Sequence, residues 1–266
     1  MSLRKKSVLL VFALSIVLIL TACANTSADA TTDSLQRVLD AGELTVVGSG
    51  GYPPFNYIDD NGDVIGFDVE VGQEIADRLG VKLNYVTGEW AGLIEGLRNE
   101  RYDGILGSMA ITDERLESVN FTVPYYYSGA QLVVTKDSGI TNPSEMTGKK
   151  VAVVTATNFE KDAQGLGADI KLYDDDNSTL LELINGRVEG VITDRIVAVT
   201  AMTDMEGGDT LALAGDLLRS EKIGIAINKN DKELLSKIDE ILADMHGDGT
   251  LTKLSEKWLG VDVTVE

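Results

Sequence analysis

The chain has 266 residues, 43 acidic and 23 basic, with a formal charge of −20 at pH 7; so acidic a molecule will not seek nucleic acid and is repelled by anionic lipid headgroups. Hydrophobic residues make up 44 % of it, which supports a real core and argues against a disordered chain. One cysteine and one histidine leave no internal disulfide and no histidine-built zinc site. A serine-type triad would have to use His246, in "ADMHGDGT", and no serine elbow lies near it. His246 reads instead as a cation at a helix C-terminus, facing water. No metal, cofactor or catalytic residue is expected.

In chain order, Arg4, Lys5 and Lys6 come before an apolar run from Val8 to Leu20 broken only by Ser15, and "LTAC" closes it at Cys23. This is the layout of a secretory signal peptide over residues 1–22; the run is short for a bilayer span, which needs about 20 residues. LTAC resembles a bacterial lipobox, in which the cysteine becomes a lipidated N-terminus. Two acyl chains on Cys23 would hold the protein on the outer side of the cell membrane. An ordinary cleaved signal with an incidental cysteine is the alternative. Residues 23–34 are small and polar, a flexible tether. Loss of residues 1–22 removes three basic side chains and no acidic one, so the charge deepens to −23, and the lipid must do the anchoring.

Beyond the tether the pattern alternates. "LTVVGS" (44–49) is a strand and "YIDDNGDVIGF" (57–67) a hairpin about its Asn-Gly turn. Asp68 is placed to cap a helix whose Val71, Ile75 and Leu79 share a face and which Gly80 ends. A strand over 81–86, a helix over 91–100 and the strand "YDGILG" (102–107) follow. Thr112 caps a turn of helix carrying Arg115, and residues 116–126 read as turn and loop. Strands are then expected at 130–135, 149–155, 170–174, 188–193 and 221–228. Between and after them come helices at 142–146, after Thr157, over 178–186, from Asp194, and over 231–249 and 251–260. In the helix over 231–249, Leu234, Leu235, Ile238, Ile241, Leu242 and Met245 face one way.

Such alternation implies an α/β protein with mainly parallel sheets flanked by helices. Ligands of such sheets bind beyond the C-terminal strand ends, at helix N-termini. The polar or aromatic candidates there are Ser49–Phe55, Ser108–Arg115, Thr155–Phe159 and Thr193–Arg195. Arg115 then sits in the first turn of a helix, where the dipole disfavours a cation. Something negative must compensate, either Asp113, Glu114 or Glu117 of the same turn, or a ligand.

The blocks "GYPPFNYIDDNGDVIGFDVEVGQEIADRLG" (51–80), "AITDERLESVNFTVPYYYSGAQLVV" (110–134) and "DGTLTKLSEKWLG" (248–260) resemble, in that order, solute-binding family 3, the amino-acid-binding proteins of ABC importers. "TNFE" (157–160), "YDDD" (173–176) and "GRVEGVITDR" (186–195) look most like its cystine-binding branch. The resemblance implies a two-lobed periplasmic-binding-protein fold of type II, with residues 35–128 and 225–266 in lobe one and 129–224 in lobe two. Two crossover strands near Tyr127–Gln131 and Glu221–Gly224 would join them, and the lobes would close on ligand like a hinge. It also implies a monomer that captures a zwitterionic amino acid, cystine or cysteine by preference, and delivers it to a membrane-embedded permease. Arg115 would grip the α-carboxylate bidentately and Asp194, from the other lobe, would receive the α-ammonium, although Asp194 also suits a plain helix cap. Tyr52 and Trp90 would cover the apolar part of the ligand, though core packing alone would account for both. Thr157 and Asn158 would meet the carboxylate at a helix start, or simply cap the helix, and Ser108 and Ala110 would offer backbone groups. The family often has Ser or Thr at 110, so Ala110 withdraws a hydroxyl; Val154 and Thr193 argue against an acidic ligand side chain. A different class shares the fold: cyclohexadienyl and arogenate dehydratases, which need a general acid. Only Asp194 and, beside Trp90, Glu89 offer one here.

Overall fold

Two five-stranded sheets carry the core of residues 34–266, the part of the chain that the computed structural model describes. The expected signal peptide, Cys23 and the expected tether up to residue 33 lie outside the described residues. The described part opens on α1 (Ser34–Ala41), an element the sequence did not announce, whose Val38 is buried. The first sheet contains β1 (Glu43–Gly48), β5 (Lys82–Thr87), β6 (Gly104–Ile105), β7 (Asn120–Phe121) and β13 (Ala226–Ile227), in the order β5-β1-β6-β13-β7. β1 runs parallel to β5 and β6, and β13 antiparallel to both its neighbours. A small antiparallel sheet, β2 (Gly51–Tyr52), β3 (Asn56–Ile58) and β4 (Val64–Ile65), follows β1 and forms the expected hairpin.

α2 (Phe67–Leu79) buries Phe67, Val71, Ile75 and Ala76, and Gly80 ends it in the left-handed conformation at φ 75°. Its start differs from expectation. Gly66, not Asp68, is the N-cap, at φ 132° with Phe55 O only 2.3 Å from where a Cβ would stand. Asp68 lies inside the first turn with its carboxylate turned into the core. α3 (Leu93–Arg98) and α4 (Asp113–Ser118) complete this half, and Thr112 caps α4 through the Arg115 N–H, as its sequence suggests.

The second sheet has the order β10-β9-β11-β8-β12, made of β8 (Tyr126–Thr135), β9 (Lys150–Val154), β10 (Asp169–Tyr173), β11 (Gly190–Asp194) and β12 (Leu211–Ile223). β9 is parallel to β10 and β11, while β8 is antiparallel to β11 and β12. Its helices are α5 (Phe159–Gly165), α6 (Asp176–Ile184) and α7 (Arg195–Asp204). β8 and β12 stay paired from Ala130–Arg219 to Tyr126–Ile223. Ile223 then bridges Ala110, and β13 joins the first sheet. These are the two crossover strands. The fold is therefore α/β and two-lobed, each lobe a mainly parallel sheet flanked by helices.

After β13, α8 (Lys232–Gly247) buries Leu234, Ile238, Ile241, Leu242 and Met245. That face contributes roughly 1.5–3 kcal/mol per side chain taken out of water. α9 (Thr250–Leu259) packs on α2 and α8. Past Gly260 the tail turns back along the crossover, where the Tyr127 N–H donates to Val263 O at 2.8 Å. Among the described residues no helix is long and apolar enough to cross a membrane.

Candidate functional site

Where the C-terminal strand ends of the two lobes face each other lies a cleft with about 550 Å³ of empty space, its open mouth included. Lobe one contributes Ser49, Gly51 and Tyr52 after β1, Trp90 after β5, and Gly107, Ser108 and Ala110 after β6, with Arg115 from α4. Lobe two contributes Val154 at the end of β9, Thr157–Phe159, and Asp174–Asp176 between β10 and α6, while Glu221 comes from the crossover strand β12.

Arg115 is the cation of this wall. Its guanidinium donates to Ala110 O at 2.9 Å and stands 5.4 Å from the Trp90 ring centroid, within cation–π range. It forms no ion pair among the described residues; Glu114 pairs instead with Lys161 of lobe two. Burial pulls the guanidinium down to about 10, and the charge of Glu221 acts in the opposite direction. Ala110 bridges Ile223 in a non-hydrogen-bonded pair, since the bonds run from Ile111 N–H to Lys222 O and from Gly224 N–H to Met109 O. Its own N–H takes no part in that bridge, and Ala110 lines the cavity together with Arg115.

Ser108 is fixed from behind. It holds φ 56°, uncommon for a residue with a side chain. Its hydroxyl donates to Asp68 Oδ2 at 2.8 Å, and its N–H points at Tyr125 Oη at 3.3 Å. The Tyr125 hydroxyl donates to Asp68 Oδ1 at 2.6 Å, and Asn56 Nδ2 to Asp68 Oδ2 at 2.8 Å. Asn56 Oδ1 in turn accepts from the Gly50 N–H at 2.9 Å. Asp68 is thus a buried hub joining the Ser49–Tyr52 and Gly107–Ala110 walls. Burial raises its carboxyl to about 6 despite three hydrogen bonds that favour the charged form. Gly107 presses on the neighbouring strand end: a Cβ there would meet Gly48 Cα at 2.9 Å.

Tyr52 stacks on Phe55 at 5.5 Å, and Phe55 on Tyr126 at 5.0 Å. Burial, then the charges of Asp194 and Asp176, push the Tyr52 phenol well above its ordinary value. Trp90 also spans the cleft, its indole N–H donating to Ala156 O of lobe two at 3.2 Å. Thr157 donates its hydroxyl to Val154 O at 2.6 Å, and Asn158 Nδ2 donates to Glu221 Oε1 at 3.2 Å.

The structure brings Tyr52, Trp90, Ser108, Ala110, Arg115, Thr157 and Asn158 to one cavity. Asp194 is not on its wall. It ends β11 and caps α7, accepting from the Ile196 N–H at 2.7 Å, with only 1 % of its surface exposed. Its charge nonetheless reaches Tyr52, Tyr126 and Glu221, and burial raises its carboxyl to about 7. Glu89, the second acid considered for a dehydratase, is exposed and outside the lining. His246, in the last turn of α8, is only partly exposed and has Nε2 3.2 Å from Pro124 O.

A family model for bacterial extracellular solute-binding proteins, family 3, matches residues 44–261. The chain belongs to that family. Among family-3 relatives, an L-cystine-binding protein, TcyJ of Escherichia coli strain K12, is 36 % identical over 236 residues, covering 86 % of this chain and 87 % of the relative. A probable amino-acid-binding protein of Bacillus subtilis strain 168, YxeM, is 36 % identical over 100 % of this chain and 99 % of its own length. Among solved structures, a mutant of the arginine-binding protein of T. maritima superposes with a TM-score of 0.81 at 34 % identity, over 85 % of this chain and 99 % of that one. In this family-3 protein the residues that sequence reasoning missed are mostly acidic: Asp174, Asp175, Asp176 and Glu221. The signal was there, since "YDDD" ends a strand at the edge where ligands bind.

Proposed function

We propose that this protein captures a zwitterionic amino acid between its lobes, with cystine or cysteine as the preferred ligand, and delivers it to a membrane-embedded ABC permease. The observation that carries this reading is Arg115, a half-buried guanidinium facing the cavity that forms no ion pair among the described residues. A ligand α-carboxylate completes it, with the Ala110 N–H as a further donor. Tyr52, Trp90 and Ser108 enclose the ligand from lobe one, Thr157 and Asn158 from lobe two. Asp194 acts on the α-ammonium through its field. Because the opposite charges come from different lobes, the ligand stabilises the closed form over the open one. The resemblance of the cystine-binding relative supports the choice of ligand. The LTAC sequence supports a lipid tether on Cys23, and the reading takes the tethered protein to be a monomer.

A thermal-shift screen against the amino acids and cystine tests the reading. At a hundred times its dissociation constant a ligand stabilises the folded state by about 2.7 kcal/mol, which for a chain of this size raises Tm by about 5–10 °C. Arg115→Ala should abolish that shift while the unliganded variant still unfolds cooperatively. A variant that responds to ligand like the parent overturns the assignment.

A further inference from the structure

Lobe two places more negative charge around the cavity than one amino-acid ammonium can answer. Asp175 has both oxygens engaged at the start of α6, accepting from the Ser178 N–H and hydroxyl at 2.8 Å each. Asp174 is exposed to water. Glu221 is paired with Arg219 and accepts from Asn158. Two carboxylates remain buried without a cationic partner among the described residues, Asp176 and Asp194.

Asp176 is the one of these two on the wall. It is 6 % exposed, and Oδ1 accepts the hydroxyl of Thr193, itself wholly buried. That hydroxyl fixes the orientation of the carboxylate. Oδ2 makes no hydrogen bond within the described residues. A buried carboxylate in this condition costs several kcal/mol unless a positive group or a proton meets it. The start of α6 offsets only part of that cost. The described acids form no group suited to a metal ion, so an organic cation is the fitting partner.

We propose that the cavity selects an amino acid carrying a second positively charged nitrogen, and that Asp176 receives this nitrogen. The inference rests on the amino-acid reading above and narrows it. Arg115 holds the α-carboxylate from lobe one, the α-ammonium answers one buried acid of lobe two, and the second nitrogen answers the other. Independently of this arrangement, burial raises the Asp176 carboxyl to about 7, the behaviour of an acid that lacks its counterion.

The test pairs ligands that differ by one charge, measured by calorimetric titration at pH 7.5. The pairs are cystine against the mixed disulfide of cysteine with 3-mercaptopropionate, arginine against citrulline, and lysine against norleucine. For the best-bound pair the doubly cationic member should bind roughly ten- to a hundredfold tighter, the worth of a charged hydrogen bond. In Asp176→Asn that ratio should fall to within about threefold of one. Asp176→Ser serves as a second variant should the amide misfold. Wild-type protein that binds both members of every pair alike, or an Asn or Ser variant that keeps the full ratio, overturns the inference and leaves amino-acid binding standing. Binding of neither member of any pair overturns the amino-acid reading, and this inference with it.

Discussion

Asp68 shows how much of the cavity depends on a residue that never touches it. Its carboxylate accepts from Asn56, Ser108 and Tyr125, which lie 12, 40 and 57 residues away in the chain. Asp68→Asn replaces one acceptor oxygen by a donor, so one of those three donors loses its partner. We expect a loss of about 1–3 kcal/mol in stability, read from urea unfolding, together with weaker ligand binding, because Ser108 and the Ser49–Tyr52 wall lose a common support. A variant as stable as the parent would show that the hub is dispensable. The sequence suggested a helix cap at Asp68, since aspartate before a helical period usually caps. Nothing local distinguishes a cap from a buried acceptor whose donors are brought in by the fold. Arg115 was legible for the opposite reason: its neighbours in the same turn were few enough to weigh, and none of them pairs with it.

Between elements, Gly107 and Gly48 pack closely beside the cavity, at the ends of β6 and β1. Gly107→Ala must push these strand ends apart. Overpacking of this kind costs about 1–3 kcal/mol, and a lower midpoint in urea with a weakened ligand shift is the expected result. Lys161 and Glu114 join α5 to α4 across the cleft, but both are exposed. Such pairs contribute at most about 1 kcal/mol and are screened by salt. Lys161→Ala should therefore change ligand affinity by less than about fivefold, and less still in high salt, as titration at two ionic strengths would show. Elements with a strong period were readable in the sequence, α8 above all. The first half of β12 was not, because Gly215 and Asp216 interrupt its pattern where the pairing register with β8 shifts. β7 is two residues long and owes its strand state to β13, which arrives a hundred residues later. α1 has too few residues for its period to stand out beside a polar segment.

For the whole molecule, three buried aspartates set an unusual dependence on pH. Asp68 is raised to about 6, and Asp176 and Asp194 to about 7, in each case mainly by burial. Between their unfolded values near pH 4 and these raised values, the folded state binds more protons than the unfolded one, so stability falls as pH rises. Below about pH 4 the sign reverses. Asp248, held at about 2 mainly by hydrogen bonds from Thr250 and Arg78, and Asp59 and Asp262, also lowered, lose their native advantage as they protonate. The Tm of the unliganded protein should thus climb from pH 8 to about 5 and drop steeply below 4. The acidic surface acts in the same direction above pH 5, by self-repulsion. The increment in Tm due to a cationic ligand should run the other way, larger at pH 7.5 than at pH 5, because a protonated Asp176 offers it no charge. A scan at four pH values, with and without ligand, separates the two trends.

The tail beyond Gly260 lies along β8 where the chain passes from one lobe to the other, joined through Tyr127 and Val263. It works as a splint across the joint. Shortening the protein to Gly260 would loosen that joint and strip α9 of its hydrogen bonds with Val261, Asp262 and Val263, and a fluorescent fusion attached at residue 266 would swing beside it. A biosensor built on this scaffold should therefore carry its reporters on outer loops of the lobes and leave the last six residues untouched.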